Sequence, residues 1–394
     1  MVHVLDGVRV LDLTQVMAGP YCCQLLGDLG AEVVKVEPRT GDATRKMGFF
    51  GKGDDAMAFH AVNRNKRGLT LDLKSEQGRE VFYRLVDEAD VVVENYRPGV
   101  AKRLGVDYEA LSARNPRLVY ASISGFGQTG PYSSRGGYDL IAQAMSGLMS
   151  VTGEPGSNPV KAGVPVADLS AGIFATLGIL SALLGREKTG QGQQVDVSLF
   201  EAALSLMVWE TSEHWGTGDI PQPMGSAHRL AAPYQALRAR DAYLVVGASN
   251  QGLWERMCAA LDRPDLPGDE RFVTNLDRMG NLPELVEELE KTLASDDAEH
   301  WIGVLGEAGI PAGPLYDVRQ AVEDPHTLAR GMVQDVEHPV EGTVKTLGVP
   351  VKLSHTPGSI RRPAPLLGQH TDEILAELGY SSDEIDTLRA AAVV

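Results

Sequence analysis

Asp168 has the setting that most invites chemistry. It stands in Pro165-Val-Ala-Asp-Leu-Ser, directly ahead of an apolar run from Ala171 to Gly185 that reads as a buried helix. Small residues at Gly172, Thr176, Gly178, Ala182 and Gly185 would let that helix pack closely and hold its first turn rigidly. An aspartate there can be an N-cap, accepting hydrogen bonds from its own helix's amides. It can also be a nucleophile. A helix N-terminus favours an ionised carboxylate by about 0.3–1 kcal/mol, and such a carboxylate can attack a thioester carbonyl while nearby backbone N–H groups hold the oxyanion.

A second set of residues is basic. Arg39 follows Glu37, Lys74 follows Leu73, and Arg97, Lys102 and Arg103 follow Glu94, each just beyond a strand-like run. Ligands of open parallel sheets bind outside the carboxyl ends of the strands. Cations gathered there suit a multiply phosphorylated ligand, with Arg giving two-pronged contacts. Taken singly, each is equally an ordinary solvated charge.

Other chemistries lack their residues. Ser124 lies in Ser-Ile-Ser-Gly rather than in a nucleophile elbow, and no His or carboxylate spacing suggests a metal. Gly125-Phe-Gly-Gln-Thr-Gly130 fits a dinucleotide fingerprint, but Pro131 and a Ser-Ser-Arg-Gly-Gly loop follow where a helix should begin. The first strand–helix turn, Val16-Met-Ala-Gly-Pro20, has one glycine, although Glu37 stands where a ribose-binding acid would. Cys22 and Cys23 are adjacent and Cys258 is distant, which fits reduced thiols in a cytoplasmic protein better than a disulfide framework.

The elements that must carry these residues alternate in type. Strand-like runs at Val8–Leu13, Glu32–Glu37, Leu69–Leu73, Asp90–Glu94, Leu118–Ile123 and Gln194–Val197 are separated by helical segments at Ala18–Leu29, Gln77–Glu88, Tyr108–Asn115 and Leu169–Gly185. Apolar strands without alternation, joined by helices, predict an α/β fold with a parallel, doubly wound sheet. A single helix is expected over Leu199–Glu210, then a polar connector, a second α/β stretch from Pro233 to Leu315, and a terminal helix from Thr371. The net charge of −17 excludes a broad nucleic-acid face. Asp6, Arg9 and Asp12 break up any signal segment, and the Ala171–Gly185 run is short for a bilayer span. No membrane or nucleic-acid partner is expected.

Several motifs then fall in order: Leu5-Asp-Gly-Val-Arg-Val-Leu-Asp-Leu, Ala18-Gly-Pro, Leu26-Gly-Asp-Leu-Gly-Ala-Glu-Val-Val-Lys-Val-Glu37, Asn65-Lys-Arg-Gly, Glu94-Asn-Tyr-Arg-Pro-Gly, Ser122-Ile-Ser-Gly-Phe-Gly-Gln-Thr-Gly-Pro131, Asp168 and Thr189-Gly-Gln-Gly-Gln-Gln-Val-Asp-Val. Together they resemble the family III CoA transferases, the group of formyl-CoA and carnitine-CoA transferases, over nearly the whole chain. The resemblance implies a large Rossmann-like domain (1–210, completed by 326–394), a linker (211–232) and a smaller α/β domain (233–325). It implies a ring-shaped subunit threaded through a second copy as an interlocked homodimer. Asp168 becomes the nucleophile that carries CoA as an aspartyl thioester, assisted by Asp139, with coenzyme A and acyl-CoA as substrates and no permanently bound cofactor. Contacts to CoA carry over to Met17, Ala18, Arg39, Leu71, Asp72, Leu73, Lys74, Asn95, Tyr96, Arg97, Arg103 and Tyr138. Arg229, Tyr234, Gln235 and the Gly247–Gln251 loop would shape the acyl pocket. Met17 replaces the Gln of formyl-CoA transferases, which speaks against a formyl/oxalyl pair. Related α-methylacyl-CoA racemases carry a His where this chain has Tyr138, and tyrosine's ordinary pKa of about 10 makes it a poor proton shuttle.

Overall fold

The computed structural model describes residues 2–394. Six strands, β1 (Arg9–Asp12), β2 (Glu32–Glu37), β3 (Lys66–Thr70), β4 (Val91–Glu94), β5 (Val119–Ser124) and β6 (Gln194–Ser198), form one all-parallel sheet in the order β3-β2-β1-β4-β5-β6. This is the Rossmann order, with its reversal point between β1 and β4. The intervening helices are α1 (Ala18–Asp28), α2 (Met57–Val62), α3 (Glu76–Asp87), α4 (Val100–Leu104), α5 (Tyr108–Arg114), α6 (Asp139–Met145), α7 (Val166–Thr189), α8 (Leu199–Ser205) and α9 (Val208–Thr217).

A second group of elements follows. Strands β7 (Tyr234–Arg238), β8 (Tyr243–Gly247) and β9 (Ala312–Pro314) make a small antiparallel sheet, accompanied by α10 (Gln251–Ala260), α11 (Asn275–Gly280), α12 (Leu282–Leu293), α13 (Ala298–Glu307) and α14 (Val318–Glu323). The chain ends with α15 (Pro325–Ala329), the hairpin β10 (Val333–His338) and β11 (Gly342–Leu347), then α16 (Thr371–Glu377) and α17 (Ser382–Ala390). Two compact units result. The first comprises residues 1–148, 161–216 and 325–394, and the second comprises 149–160 and 217–324.

Each face of the large sheet has its own core. Val10, Val33, Val91, Val93 and Ile123 face Cys22, Cys23 and Leu26 of α1 and Ala171, Ala175 and Ile179 of α7. Leu11, Val34, Val92 and Tyr120 face Phe82 and Val86 of α3, Leu111 of α5, and the C-terminal Ile374, Leu375, Ile385 and Leu388. Alternate residues of each strand thus serve opposite layers, which is why the strands lack polar alternation. All three cysteines are free and buried.

Three local expectations are corrected. The third strand is Lys66–Thr70 rather than Leu69–Leu73, because its charged residues are neutralised inside: Lys66 bonds Asp12, and Arg67 meets Glu32, Glu373 and Glu377. The single helix over Leu199–Glu210 is two helices, α8 and α9, with the break at Leu206 and Met207. Helix α7 runs 24 residues, long and apolar enough by composition to cross a bilayer. Its packing against α1, α8, β5 and β6 makes it a core helix instead.

Candidate active site

The loops after β1 and β4 leave the sheet at the reversal point and wall a cavity of about 340 Å³. Gln15, Val16, Met17 and Ala18 come from the first loop, Asn95, Tyr96, Arg97 and Pro98 from the second, and Ile123–Gly125, Gly136–Tyr138, Arg135, Leu199 and Asp168 complete the lining. A neighbouring cavity of about 410 Å³ is lined by Glu37, Pro38, Thr40, Leu71, Asp72, Leu73, Lys74, Val100, Arg103 and Leu104. Gln15 and Tyr96 belong to both. Of the residues expected at the site, Met17, Ala18, Asn95, Tyr96, Arg97, Tyr138 and Asp168 therefore meet in the first cavity, and Leu71–Lys74 and Arg103 in the second. Arg39 lines neither. It is exposed between Pro38 and Thr40, which do line the second.

The mount of Asp168 is set by a close crossing of two helices. A Cβ on Gly172 would come within 2.7 Å of the Ala18 carbonyl oxygen, so only glycine lets α7 lie this near α1. Gly178 does the same against Val195, whereas a Cβ on Gly185 would make only an ordinary contact with Gln193 at 3.8 Å. Asp168 sits inside the first turn of α7, not ahead of the helix. The N-cap is Pro165, which offers no side-chain acceptor. The cap comes instead from another helix. Asp139 Oδ1 accepts from the amides of Ala167 (2.9 Å) and Asp168 (3.4 Å). Asp168 is thus spared the N-cap role, and among the described residues its carboxylate makes no hydrogen bond.

The expectation that the helix end keeps this carboxylate readily ionised is overturned. Burial, helped by the like charge of Asp139, pushes the Asp168 carboxyl up to about 7. The α7 amides cannot hold an oxyanion either, since Asp139 uses them. Helix α1 is the better source. Its cap residue Met17 makes no side-chain bond, no acid lies in its first turn, and its N-terminal residue Ala18 lines the cavity.

The β1 loop is held in an unusual shape. Val16 has a φ of 70°, a left-handed conformation that costs a β-branched residue about 1–3 kcal/mol. Asn95 pins it from the neighbouring strand end. Its Oδ1 accepts from Gln15 N (2.9 Å) and its Nδ2 donates to Gln15 O (2.7 Å). Below the loop, Lys35 Nζ donates to Thr14 O (2.9 Å) and Asp42 Oδ2 (2.9 Å), while Lys66 Nζ donates to Asp12 Oδ2 (2.8 Å) and Pro20 O (2.9 Å). These ion pairs are fully buried. Elsewhere in the lining, Gly125 and Gly137 lie back to back, and a Cβ on either would approach the other's Cα to within 2.6 Å. Gly125, the first glycine of the G-x-G-x-x-G pattern, thus serves packing, while Gly127 and Gly130 take positive φ in the loop that follows. Glu37 is likewise committed, its two oxygens bonded by Arg45 at 2.7 and 2.8 Å.

Several arginines of this chain are already neutralised within it. Arg45, Arg64, Arg67 and Arg114 are each paired with carboxylates. Arg39, Lys74, Arg97 and Arg103 have no ion-pair partner among the described residues, and the phosphates of an anionic ligand would supply one. Among those residues no group of three His, Cys, Asp or Glu side chains is arranged to hold a metal.

A family model described as CoA-transferase family III matches residues 5–371. The chain belongs to this family. Over 372 residues it is 43% identical to the acetyl-CoA:oxalate CoA-transferase of Acetobacter aceti, covering 92% of this chain and 93% of that one. Over 392 residues it is 38% identical to the succinyl-CoA:glutarate CoA-transferase of Homo sapiens, covering 99% and 90%. A solved CAIB/BAIF family protein from Brucella suis matches with a TM-score of 0.87 at 40% identity, over 96% of this chain and 100% of that one. Family III membership makes CoA transfer the chemistry to be explained, with CoA thioesters and carboxylates as substrates.

Sequence reasoning missed Gln15, Arg135 and Gln143. Arg135 was hidden in a loop, although the adjacent Gly136-Gly137 could have signalled a close backbone approach. Nothing local marks Gln15, whose partner is 80 residues away, whereas Gln143 stands four residues after Asp139, a helical spacing at which the two side chains can bond.

Proposed function

We propose that this protein moves CoA from an acyl-CoA donor to a carboxylate acceptor through covalent adducts on Asp168. The carrying observation is that Asp168 lines the cavity with its carboxylate unbonded while Asp139 does the capping. The Asp168 oxygen attacks the thioester carbonyl, the C–S bond breaks, and CoA leaves as thiolate from a mixed anhydride. The thiolate then attacks the aspartyl carbonyl, releasing the donor acid and leaving an aspartyl-CoA thioester. The acceptor carboxylate attacks that thioester, and the released thiolate attacks the acceptor's acyl carbon, regenerating Asp168. No proton is consumed overall. The Ala18 amide, at the start of α1 in the cavity lining, would stabilise the oxyanions.

Burial and like charge serve this cycle twice. A poorly solvated carboxylate with a pKa of about 7 is a stronger base, and so a better nucleophile, than an ordinary aspartate. Forming the adduct also removes its charge, so the repulsion from Asp139 disappears. Arg39, Lys74, Arg97 and Arg103 would hold the CoA phosphates, with Leu71, Asp72, Leu73 and Tyr96 beside the nucleotide and Met17, Ala18 and Tyr138 near the thioester. The dicarboxylates named for the relatives, together with Arg135 in the cavity of Asp168, support a small dicarboxylic acid as a substrate. No histidine lines that cavity, which weighs against two-base isomerisation.

The ring-shaped subunit and interlocked homodimer belong to the same proposal, as do the domain division and a cytoplasmic location. The exposed Ile173, Phe174, Leu177 and Leu184 of α7 support a partner surface, and light scattering at the mass of two chains would check it. The chemical test is intact mass spectrometry after adding acyl-CoA. A CoA or acyl adduct mapped to Asp168 and absent from Asp168→Asn is expected, with transfer down at least about a thousandfold. Full transfer by the variant would remove the mechanism.

A further inference from the structure

We propose that Gln143 is a positioning residue for CoA transfer: its buried carboxamide fixes Asp139 as a clamp on the first turn of α7 and thereby sets the charge environment of Asp168. The proposal rests on the reading of Asp168 as nucleophile and adds a residue that touches neither substrate nor the reacting atoms.

The hydrogen-bond directions leave one arrangement. Gln143 is fully buried on α6. The Ala162 amide can only donate, and it meets Gln143 Oε1 at 2.9 Å. That contact fixes which end of the carboxamide is oxygen. Nε2 must then face Asp139, and it donates to Oδ2 at 2.6 Å. The other oxygen, Oδ1, takes the amides of Ala167 and Asp168. Both oxygens of Asp139 thus face donors that cannot reverse, which is the acceptor-only role of a carboxylate. One chain of contacts runs from Ala162 through Gln143 and Asp139 to the backbone of Asp168. Without the Nε2 donor, Asp139 would be free to rotate away, and its negative charge would no longer be held beside Asp168.

Other groups near α7 do not compete for this role. Helix α1 brings Tyr21, Cys22 and Cys23 and α8 brings Glu201, whereas Tyr120 of β5 belongs to the opposite layer and Asp196 of β6 alternates with the Val195 and Val197 that pack on the α7 side. The cavity brings Tyr96, Arg97, Arg135 and Tyr138. Besides burial, it is the charge of Asp139 that raises the Asp168 carboxyl.

The test is the titration of Asp168 in the free protein, followed by NMR of carbon-13-labelled aspartate carboxyls, with Asp168→Asn assigning the resonance. Gln143→Met keeps the side chain's bulk but removes both bonds. Its Asp168 midpoint should fall by half a unit or more, Asp139→Asn should produce a fall at least as large, and the double variant should shift no further than Asp139→Asn. The acidic limb of the rate of adduct formation should move with it. A folded Gln143→Met protein whose activity drops at every pH with the midpoint unmoved would overturn the proposal, leaving Gln143 a structural residue. If that variant fails to fold, the wild type decides. The Gln143 Nε2 protons should exchange slowly and shift as Asp168 titrates, and fast exchange with no shift would refute the clamp. Because the titration needs no substrate, its failure is separable from failure to form an adduct on Asp168.

Discussion

Asp12 and Asp168 are two aspartates withdrawn from water in the same unit, and they are driven in opposite directions. Asp12 is fully buried, yet its carboxyl lies down at about 2, because Lys66 and Lys35 more than offset the cost of burial and Thr14 bonds it twice. Asp168 is less deeply buried, and its carboxyl rises to about 7, since no cation answers it and Asp139 adds like charge. Burial raises both. The counter-charge decides. A supporting acid is given its partner, and an acid that must react is left without one. Glu94, also raised to about 7 by burial, accepts from the amide of Tyr96, a lining residue, at 2.8 Å.

The sharpest way to break this contrast is to make Asp12 resemble Asp168. Lys66→Met leaves a buried carboxylate with one partner fewer and should cost about 3–5 kcal/mol in urea unfolding. Replacing both members, as in Asp12→Leu with Lys66→Met, should recover much of that loss. Equal instability of the single and double variants would mean the pair is not what holds the loop above it.

The converse experiment uses pH. The folded carboxyl of Asp168 is raised above its unfolded value of 3.8, so the folded protein binds the extra proton between about pH 4 and 7. The stability this contributes is full below pH 4 and is lost as pH rises through 7. Asp12 has the opposite sign, with stability present above pH 4 and lost as pH falls towards 2. Asp168→Asn should therefore gain on the wild type by on the order of 2–4 kcal/mol between pH 4.5 and 8. A constant difference across that range would show that Asp168 is not strained by its surroundings.

Two smaller effects complete the series. Gly172→Val should push α7 off the Ala18 carbonyl, costing about 1–3 kcal/mol in thermal unfolding and slowing transfer more than it weakens CoA binding. Lys74→Ala with Arg103→Ala should raise the KM for acyl-CoA about tenfold, leave kcat nearly unchanged, and flatten its dependence on salt. If KM stays put, these cations are surface charge and nothing more.

Much of the fold was legible because its signal is local. Apolar runs of four to six residues separated by helical spacing gave the parallel sheet, and α16 starts at Thr371, where the terminal helix was expected. The third strand slipped because Lys66 and Arg67 look like loop residues until the acids that neutralise them, some of them hundreds of residues away, are known. In the site, Asp168 stood out by its place before an apolar helix, but its protonation did not follow from that place. The local rule predicted a helix end that stabilises charge, whereas a carboxylate from α6 had already taken the amides. Asn95 shows the same limit, since both ends of its carboxamide are spent on Gln15. Residue types disclose which chemistry is possible, while the partners that permit or forbid it come from distant segments.

The paired glycines at 125 and 137 bear on how this enzyme can be redesigned. Side chains that merely line the hollow, such as Met17, Arg135 or Leu199, are free variables for anyone selecting new acid pairs. The bare backbones are not, because any substituent on one displaces the other and disturbs the cavity lining. A randomised library should therefore tolerate broad diversity at the first three positions and return glycine, almost without exception, at the other two.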